Sequence, residues 1–516
     1  MKATNLKANQ PAVADLNRLL QYGNQQLESA FERILREDAR PIEPLHYITK
    51  DMPFPSLNQD KTTRLGLMNS FIAAGVRQSA QNGQETPTAQ IYAKVRGPYL
   101  TTSLQNLAAA SVNTAKKKTP NALYKQGTNG IGTYATAIEG TFLAEYDNIC
   151  ALFSRDEWGR VFNLTCQGAM SELAKTLKDL NLHIKANLTT DCYLAYEIIE
   201  IVSSLSSRLD GHTGELKPSF ASALKPIRDT GKSSLAELIE DTRRRVGGLP
   251  ILPTDAAALP ITTETMTRLQ TMVDFLRPIS SIMISLGDGN WKSMNAAKDS
   301  SDTVPSLKSF DVGADGKELF AHYSTDTIDA LLTSLDQKAR VVLKGKSVLG
   351  AFLSNNVAVI ERMTRDSELS PLLASRMSII DTWRKKATSL YLDGWRDPSA
   401  HLLDVQYTNR GGNRPPSGSG AAVDSAAILK GLSSKDKDAV KEKFRMFNVS
   451  FEECLARHKS LSMEKEVRAS LSREVQQMIE PLYGRFWDRY HEVDKGKGKY
   501  VKYDRGSMSG IFLSLA

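Results

Sequence analysis

The sequence is poor in cysteine and in long apolar runs. Its four cysteines are too few and too scattered for a disulfide framework or a zinc cluster; they are Cys150, Cys166, Cys192 and Cys454. No apolar stretch reaches the roughly 18 residues that a membrane-spanning helix requires, and the polar start MKATNLKANQ lacks the apolar segment of a secretory signal. These absences predict a soluble, intracellular protein of a reducing compartment.

Motifs that carry chemistry are also scarce. The seven histidines are dispersed, with neither an HExxH pair for a metal nor a Gly-x-Ser-x-Gly turn for a nucleophile. Gly231–Ser233 and Gly345–Ser347 both read Gly-Lys-Ser, which is the end of a phosphate-binding loop. Such a loop needs a further glycine five residues earlier, and these positions hold Pro226 and Arg340. We therefore predict that the chain is not an enzyme and holds no cofactor or metal.

Basic residues outnumber acidic residues only slightly. The 66 lysines and arginines against 58 aspartates and glutamates leave a net charge of +8 and a pI near 9.0. This bias is compatible with an anionic partner, either phospholipid or nucleic acid, and selects neither. With 41% hydrophobic residues the chain can form packed cores, and 516 residues are too many for a single core.

Helical periodicity is the dominant pattern in the chain. Apolar residues recur at spacings of three, four and seven in four long segments, 13–35, 131–153, 332–363 and 467–490. Breaks rich in proline and glycine separate such segments, and no fixed repeat period is present. The pattern predicts an all-α protein built as an elongated rod of consecutive stacked helical bundles.

Four bundles follow from the positions of these breaks. We expect them to cover residues 1–125, 126–265, 266–400 and 401–516. Within the last bundle, the segment 409–420 (NRGGNRPPSGSG) has no large apolar side chain to bury. Because nothing offsets the cost of ordering such a segment, we expect a mobile loop there.

The densest basic cluster lies near the C-terminal end. It combines five cations within eleven residues with two tyrosines between them: Lys495, Lys497, Lys499, Tyr500, Lys502, Tyr503 and Arg505. Lysines that alternate with aromatic rings suit an anionic membrane surface, whereas an ordinary run of charges is a solvated face. The residues themselves leave both interpretations open.

Several segments are recognisable together and in order. The C-terminal run RFWDRYHEVDKGKGKYVKY precedes a short apolar helix. Five earlier segments are IYAKVRGPYLTTSLQNL, TMTRLQTMVDFL, FLSNNVAVIERM, HLLDVQ and KEKFRMFNVSFEECLARHK. Over roughly residues 90 to 516 this series resembles the seventy-kilodalton subunit of the exocyst, the Exo-seventy family.

The resemblance implies a non-enzymatic exocyst subunit that helps to tether secretory vesicles to the plasma membrane. It implies binding to phosphatidylinositol bisphosphate through C-terminal basic residues, to Rho-type GTPases and to other exocyst subunits. The expected location is cytoplasmic and peripheral, at the inner face of the plasma membrane where exocytosis occurs, which in a fungus is the bud or growing tip.

The same resemblance points to the lipid-binding residues. The lysines of the family's Lys-Tyr-x-Lys-Tyr motif correspond to Lys499 and Lys502. Neighbouring basic positions are further candidates: Lys495, Lys497, Lys441, Lys443, Arg445, Lys459 and Arg468. We leave open whether Lys499 and Lys502 share one face.

Two features depart from the family pattern. Family members carry a longer N-terminal coiled coil that pairs with other subunits, whereas this chain opens close to its first bundle, so we expect it to lack that segment. The usual Thr-Pro opening of the last helix is replaced by Asp504-Arg505-Gly506. Asp504 can still cap this helix, whose stability should depend on packing by Ile511, Phe512 and Leu515.

The alternative function is a helical nucleic-acid-binding protein or another kind of scaffold. Its only support is the basic pI, because the sequence contains no recognised groove-reading motif and the basic excess is diffuse. We therefore expect no nucleic acid among the partners.

Overall fold

The computed structural model of the chain describes residues 10–79, 86–117, 122–292, 315–403 and 425–515. These residues form α-helices, short 3-10 helices and connecting turns, with no β-strand in the described ranges. The all-α prediction is therefore confirmed. None of the helices described is long and apolar enough to cross a membrane. The loop expected at 409–420 lies outside the described residues.

The chain divides into two compact units. The first comprises Met1–Glu237 and Asp274–Gly316, and the second comprises Leu238–Val273 and Lys317–Ala516. The four-bundle division drawn from the sequence stays a prediction. Helices of the first unit are α1 (Gln10–Glu37), α2 (Pro44–Thr49), α3 (Gln59–Ser79), α4 (Pro87–Lys116), α5 (Ile131–Leu152), α6 (Trp158–Ala186), α7 (Leu188–Thr213), the first part of α8 (Lys217–Gly247) and α10 (Leu276–Leu286).

A buried ion pair lies in the core of the first unit. Arg96 of α4 and Glu145 of α5 are 2% and 1% exposed, and Arg96 Nη2 lies 2.7 Å from Glu145 Oε2. Tyr92 donates its hydroxyl to the same carboxylate, and Arg96 Nη1 donates to the carbonyl of Asp38 at 2.6 Å. Buried charges need this degree of pairing, because an unpaired charge in an apolar interior is strongly unfavourable.

The first apolar segment forms a helix that is only partly packed. Within α1 the buried residues are Phe31, Ile34 and Leu35. Apolar side chains in its first half, including Leu16 and Leu20, are 48% and 60% exposed. The helix was predicted correctly, and its apolar residues pack mainly in its second half.

The second unit contains the remaining helices. They are the end of α8, α9 (Pro260–Val273), α11 (Gly316–Val342), α12 (Lys346–Arg365), α13 (Leu369–Leu373), α14 (Ser378–Asp393), α15 (Arg396–His401), α16 (Ser425–Lys430), α17 (Ser434–Ser460), α18 (Lys465–Tyr490) and α19 (Arg505–Leu515). Gly316, the first residue of α11, belongs to the first unit.

One long apolar segment of the second unit is interrupted. The periodicity over 332–363 predicted continuous helix, but the structure ends α11 at Val342 and begins α12 at Lys346. Gly345 between them has a φ of +95°, which is a left-handed conformation that glycine adopts readily and that ends helical geometry. The segments 131–153 and 467–490 form α5 and α18 as expected.

The two Gly-Lys-Ser tripeptides have ordinary helical settings. Gly231–Ser233 lies inside α8, and Gly345 directly precedes α12. Lys346 pairs with Asp393 at 3.1 Å instead of facing an open loop. Neither tripeptide follows a strand, which a phosphate-binding loop requires.

An aromatic core holds the C-terminal helices together. Three rings of α17 and two of α18 pack together, and neighbouring ring centroids are 4.9 to 6.5 Å apart. The rings belong to Phe444, Phe447 and Phe451 of α17 and to Tyr483 and Phe486 of α18. The spacings of three and four along α17 place its three rings on one face. This core fixes α17 and α18 side by side and supports the segments that follow α18.

The last helix begins as the sequence predicts. Asp504 Oδ1 accepts a hydrogen bond from the Ser507 backbone amide at 2.7 Å, so Asp504 is the cap. Met508, Phe512 and Leu515 are buried, and Ile511 is half-buried. Helix α19 therefore depends on packing, as expected.

Candidate membrane-binding site

A short loop after α18 carries three of the predicted lysines, Lys495, Lys497 and Lys499. It begins with Lys495 in a left-handed conformation, φ +50°, and contains Gly496 and Gly498 at +70° and +66°. The lysine side chains are exposed. The two glycines permit a tight path that places three cations on the surface within five residues.

Buried polar side chains hold the end of this loop. Asp494 is 6% exposed, and its Oδ2 accepts the Tyr500 amide at 2.9 Å and the Val501 amide at 3.4 Å. Asn448 of α17 donates to the Tyr500 carbonyl at 2.8 Å, and Tyr483 donates to the Tyr503 carbonyl at 2.6 Å. The backbone from 500 to 503 is thus fixed on α17 and α18.

Two predicted lysines meet at one aromatic ring. Lys499 Nζ lies 5.4 Å from the Tyr500 ring centroid, and Lys441 Nζ of α17 lies 5.9 Å from the same centroid. Both distances are within the range of a cation–π interaction. Lys441 also pairs with Asp438 at 2.9 Å, and this hydrogen bond raises the pKa of its ammonium. The structure therefore joins Lys441 to the loop lysines.

Lys502 contacts α17 at a different point. Its ammonium pairs with Glu452, which follows Lys441 by eleven residues, about 16 Å along a helix. Tyr503 donates to the same Glu452 oxygen at 2.7 Å. The hydrogen bonds from Lys502 and Tyr503 lower the pKa of the Glu452 carboxyl. Lys499 and Lys502 therefore have different neighbours, one beside Tyr500 and the other on Glu452.

Lys443 and Arg445 lie on α17 near Lys441, but both have partners within the chain. Lys443 donates its ammonium to the Leu403 carbonyl. Arg445 Nε donates to Glu442 at 2.9 Å, one turn away on the same helix. Both of these partners lie outside the 495–502 segment.

Lys459 and Arg468 lie at the opposite end of α17. Lys459 is 18 residues from Lys441, about 27 Å along the helix axis. Arg468 donates to the carbonyls of His458 and Leu461 at 3.3 and 2.6 Å, where α17 ends. These two residues therefore lie near the end of α17 that is farther from Lys441.

Sequence reasoning missed the anionic and neutral residues of the site. Asp494 and Asn448 organise the loop, and Glu452 neutralises Lys502. Of these three residues, only Asp494 could have been associated with the site from the sequence, because it directly precedes Lys495. Among the described residues, no group of three or more histidine, cysteine, aspartate and glutamate side chains is placed to hold a metal ion.

Comparison with known proteins assigns the family. The family model for the C-terminal part of Exo70, a component of the exocyst complex, matches residues 128–514. The chain belongs to the Exo70 family. It is 61% identical to the exocyst complex protein exo70 of Neurospora crassa, over all of this chain and 81% of that protein. It is 59% identical to the Gibberella zeae exocyst complex protein EXO70, over all of this chain and 80% of that protein.

Solved structures of the Exo70 family have the same fold. The S. cerevisiae Exo70 structure superposes with a TM-score of 0.74 at 21% identity, and the match covers all of this chain and 90% of that one. A structure described with the exocyst subunit Exo70p and the Exo84p C-terminal domains superposes with a TM-score of 0.72 at 20% identity. As a member of the Exo70 family, the chain is a non-enzymatic exocyst subunit.

Proposed function

We propose that this exocyst subunit helps to tether secretory vesicles to the plasma membrane by binding phosphatidylinositol bisphosphate with one basic surface. The surface consists of Lys441, Lys495, Lys497, Lys499 and Lys502, and we call it the loop surface. The proposal extends to Rho-type GTPases and other exocyst subunits as partners, and to a peripheral location at the inner face of the plasma membrane at sites of exocytosis.

The meeting of Lys441 and Lys499 at the Tyr500 ring is the observation that carries the lipid proposal. Anionic lipid headgroups attract cations that are exposed and clustered, at about 1 kcal/mol for each lysine near the surface. The loop lysines are exposed, and Asp494 and Asn448 fix the backbone that presents them. A half-buried tyrosine between ammonium groups also suits the boundary between headgroups and acyl chains.

Four of the predicted residues should contribute less to lipid binding: Lys443, Arg445, Lys459 and Arg468. Arg445 is paired with Glu442 and Lys443 with the Leu403 carbonyl. Lys441 and Lys502 also have acidic partners, but Lys441 lies at the Tyr500 ring and Lys502 lies in the 495–502 segment itself. Lys459 lies about 27 Å from Lys441 along α17, and Arg468 binds backbone carbonyls where that helix ends, so we propose at most a separate electrostatic contribution from them.

Cosedimentation with liposomes tests the loop surface. Lys497→Glu with Lys499→Glu should weaken binding to vesicles containing phosphatidylinositol bisphosphate about a hundredfold, because two attractions become two repulsions. The matched control is Lys178→Glu with Lys185→Glu, which changes the net charge equally at exposed positions of α6. Equal losses in both variants, or parental binding by the loop variant, would contradict the proposal.

A further inference from the structure

A second basic surface lies in the first unit, on helices that take no part in the loop surface. Arg208 of α7, Arg228 of α8 and Arg277 of α10 line one open groove of about 450 Å³. Most of the remaining polar lining consists of serine hydroxyls: Ser203, Ser204, Ser207 and Ser281. Carboxylates pair with two of these arginines, Glu139 with Arg208 and Glu200 with Arg277. The groove still has an excess of positive charge, which favours an anionic ligand.

The three arginines differ in how far their charge is compensated. Arg228 Nη2 donates to Ser203 Oγ at 3.1 Å, and no carboxylate in the described parts of the chain pairs with it. Arg277 Nη1 lies 3.6 Å from Glu200 Oε1, and its side chain is 83% exposed. Arg208 is held by both oxygens of Glu139 at 2.6 and 2.8 Å. Arg228 and Arg277 are therefore the cations most available to a ligand.

The contacts place these cations along a short stretch of α7. Arg277 contacts Glu200 and Arg228 contacts Ser203, which are one helical turn apart. Arg208 follows Ser203 by five residues, about 7.5 Å along the axis. The groove thus has two guanidinium groups at one end, a third at the other end and hydroxyl groups between them.

The lining indicates the chemical class of the ligand. Guanidinium groups bind phosphate oxygens with two parallel hydrogen bonds. Among the described residues that line the groove, only Ile199 and Pro278 are apolar, and none offers an aromatic ring on which a nucleotide base could stack. Serine hydroxyls can both donate to and accept from the hydroxyl groups of a polyol.

We propose that this groove binds an inositol ring that carries several phosphates. The ligand is either a free inositol polyphosphate or the headgroup of a phosphoinositide, since both present the same chemistry. Arg228 and Arg277 bind phosphate, and the α7 serines contact ring hydroxyls. Glu200 opposes binding, because its carboxylate repels the phosphates and competes for Arg277.

Calorimetric titration with myo-inositol hexakisphosphate tests the groove. The experiment uses a chain that carries Lys497→Glu and Lys499→Glu, which weakens any contribution from the loop surface. In this background Arg228→Ser with Arg277→Ser should weaken binding about tenfold or more, since two charge-assisted contacts are lost. Lys178→Ser with Lys185→Ser removes the same charge from α6 and should leave affinity nearly unchanged. Equal weakening in the two variants, or no binding by the background chain, overturns the proposal.

A gain in affinity provides a second test. Glu200→Gln should tighten hexakisphosphate binding several-fold, because it removes the negative charge that lines the groove. Unchanged or weaker affinity contradicts the assignment. A peptide with two phosphoserines serves as the competing ligand, and binding of this peptide without binding of the inositol phosphate also overturns it.

Liposomes distinguish the two sources of the ligand. If the loop-surface variant retains binding to vesicles with phosphatidylinositol bisphosphate, and Arg228→Ser with Arg277→Ser abolishes it, the groove binds the lipid headgroup. If hexakisphosphate binds the groove but the loop-surface variant no longer binds these vesicles, the ligand is the soluble inositol phosphate. Both results support the groove. They differ for the loop surface: parental vesicle binding by the loop-surface variant would contradict its proposed role, whereas loss of vesicle binding agrees with it.

Discussion

Lys502, which precedes α19, is paired with Glu452 of α17, a residue fifty positions earlier in the chain. The lysine that the sequence presents as a free cation therefore has an internal anion. The pairing lowers the pKa of the Glu452 carboxyl, which favours the ionised carboxylate. A lipid headgroup must compete with Glu452 for this ammonium.

Removing that competitor should strengthen membrane binding. Glu452→Gln frees the charge of Lys502, which contributes about 1 kcal/mol near an anionic surface. We expect about a fivefold gain in affinity for vesicles with phosphatidylinositol bisphosphate, measured by cosedimentation. Glu442→Gln, which releases Arg445 on the same helix, is the comparison. A larger gain at Glu442 than at Glu452 would place the binding surface nearer to Arg445.

The Asp494 carboxylate should protect the loop surface from proteolysis. Asp494→Ala leaves the Tyr500 and Val501 amides without their acceptor, at a cost of about 1–3 kcal/mol for a buried donor. Trypsin should then cleave after Lys495, Lys497 or Lys499 at least about tenfold faster. Asp494→Asn retains an acceptor oxygen and should show a much smaller change. Cleavage at the parental rate in Asp494→Ala would mean that other contacts hold the loop.

The buried ion pair between Arg96 and Glu145 should contribute strongly to the free energy of unfolding of the first unit. Glu145→Gln leaves the Arg96 charge without its counterion in the core, which typically costs about 3–5 kcal/mol. Urea denaturation followed by circular dichroism measures this loss. The control is Glu139→Gln, which breaks the more exposed pair with Arg208 and should cost about 0–1 kcal/mol. Similar effects in both variants would show that burial does not set the energy of the Arg96 pair.

His458 should make stability depend on mildly acidic pH. Its ring nitrogens contact the Tyr391 hydroxyl and, at 3.1 Å, the Leu515 carbonyl, and burial lowers its pKa from the ordinary value. In the unfolded chain His458 therefore binds a proton at a pH of about 6.5, whereas in the folded chain it binds one only at a lower pH. The free energy of unfolding should fall as the pH decreases from about 6.5 to the lowered pKa of His458. Below that pKa, His458 should cause no further change.

Thermal unfolding between pH 7.5 and 5 measures this effect. His458→Gln should be less stable at neutral pH but should show a shallower decline, because the titrating group is gone. His212→Gln, which replaces an exposed histidine, should retain the parental slope. An unchanged slope in His458→Gln would assign the pH dependence to other groups.

The local features of the fold followed from the sequence. Spacings of three and four identified α1, α5 and α18, and the side-chain chemistry of Asp504 identified the start of α19. These features depend on residues within a few positions of one another. The sequence did not predict the break between α11 and α12, because apolar periodicity continues on both sides of it. The break depends on the left-handed conformation of one residue, Gly345.

The site was harder to predict because its contacts join distant residues. Tyr500 connects Lys499 with Lys441, and Glu452 connects with Lys502 across fifty positions. These relations depend on how α17 and α18 pack, and the pattern of residues along the chain does not specify that packing. Charge alone therefore selected Lys459 and Arg468, which the structure places at the other end of α17.

Arg468 affects how a mutational scan of the basic residues should be interpreted. Its guanidinium satisfies two carbonyls at the end of α17, so replacing it would loosen that helix end whether or not a membrane is present. A scan that records only vesicle binding would score Arg468 and Lys499 alike. Recording the melting temperature of each variant separates them, because a loss at Arg468 should come with a lower melting temperature and a loss at Lys499 should not.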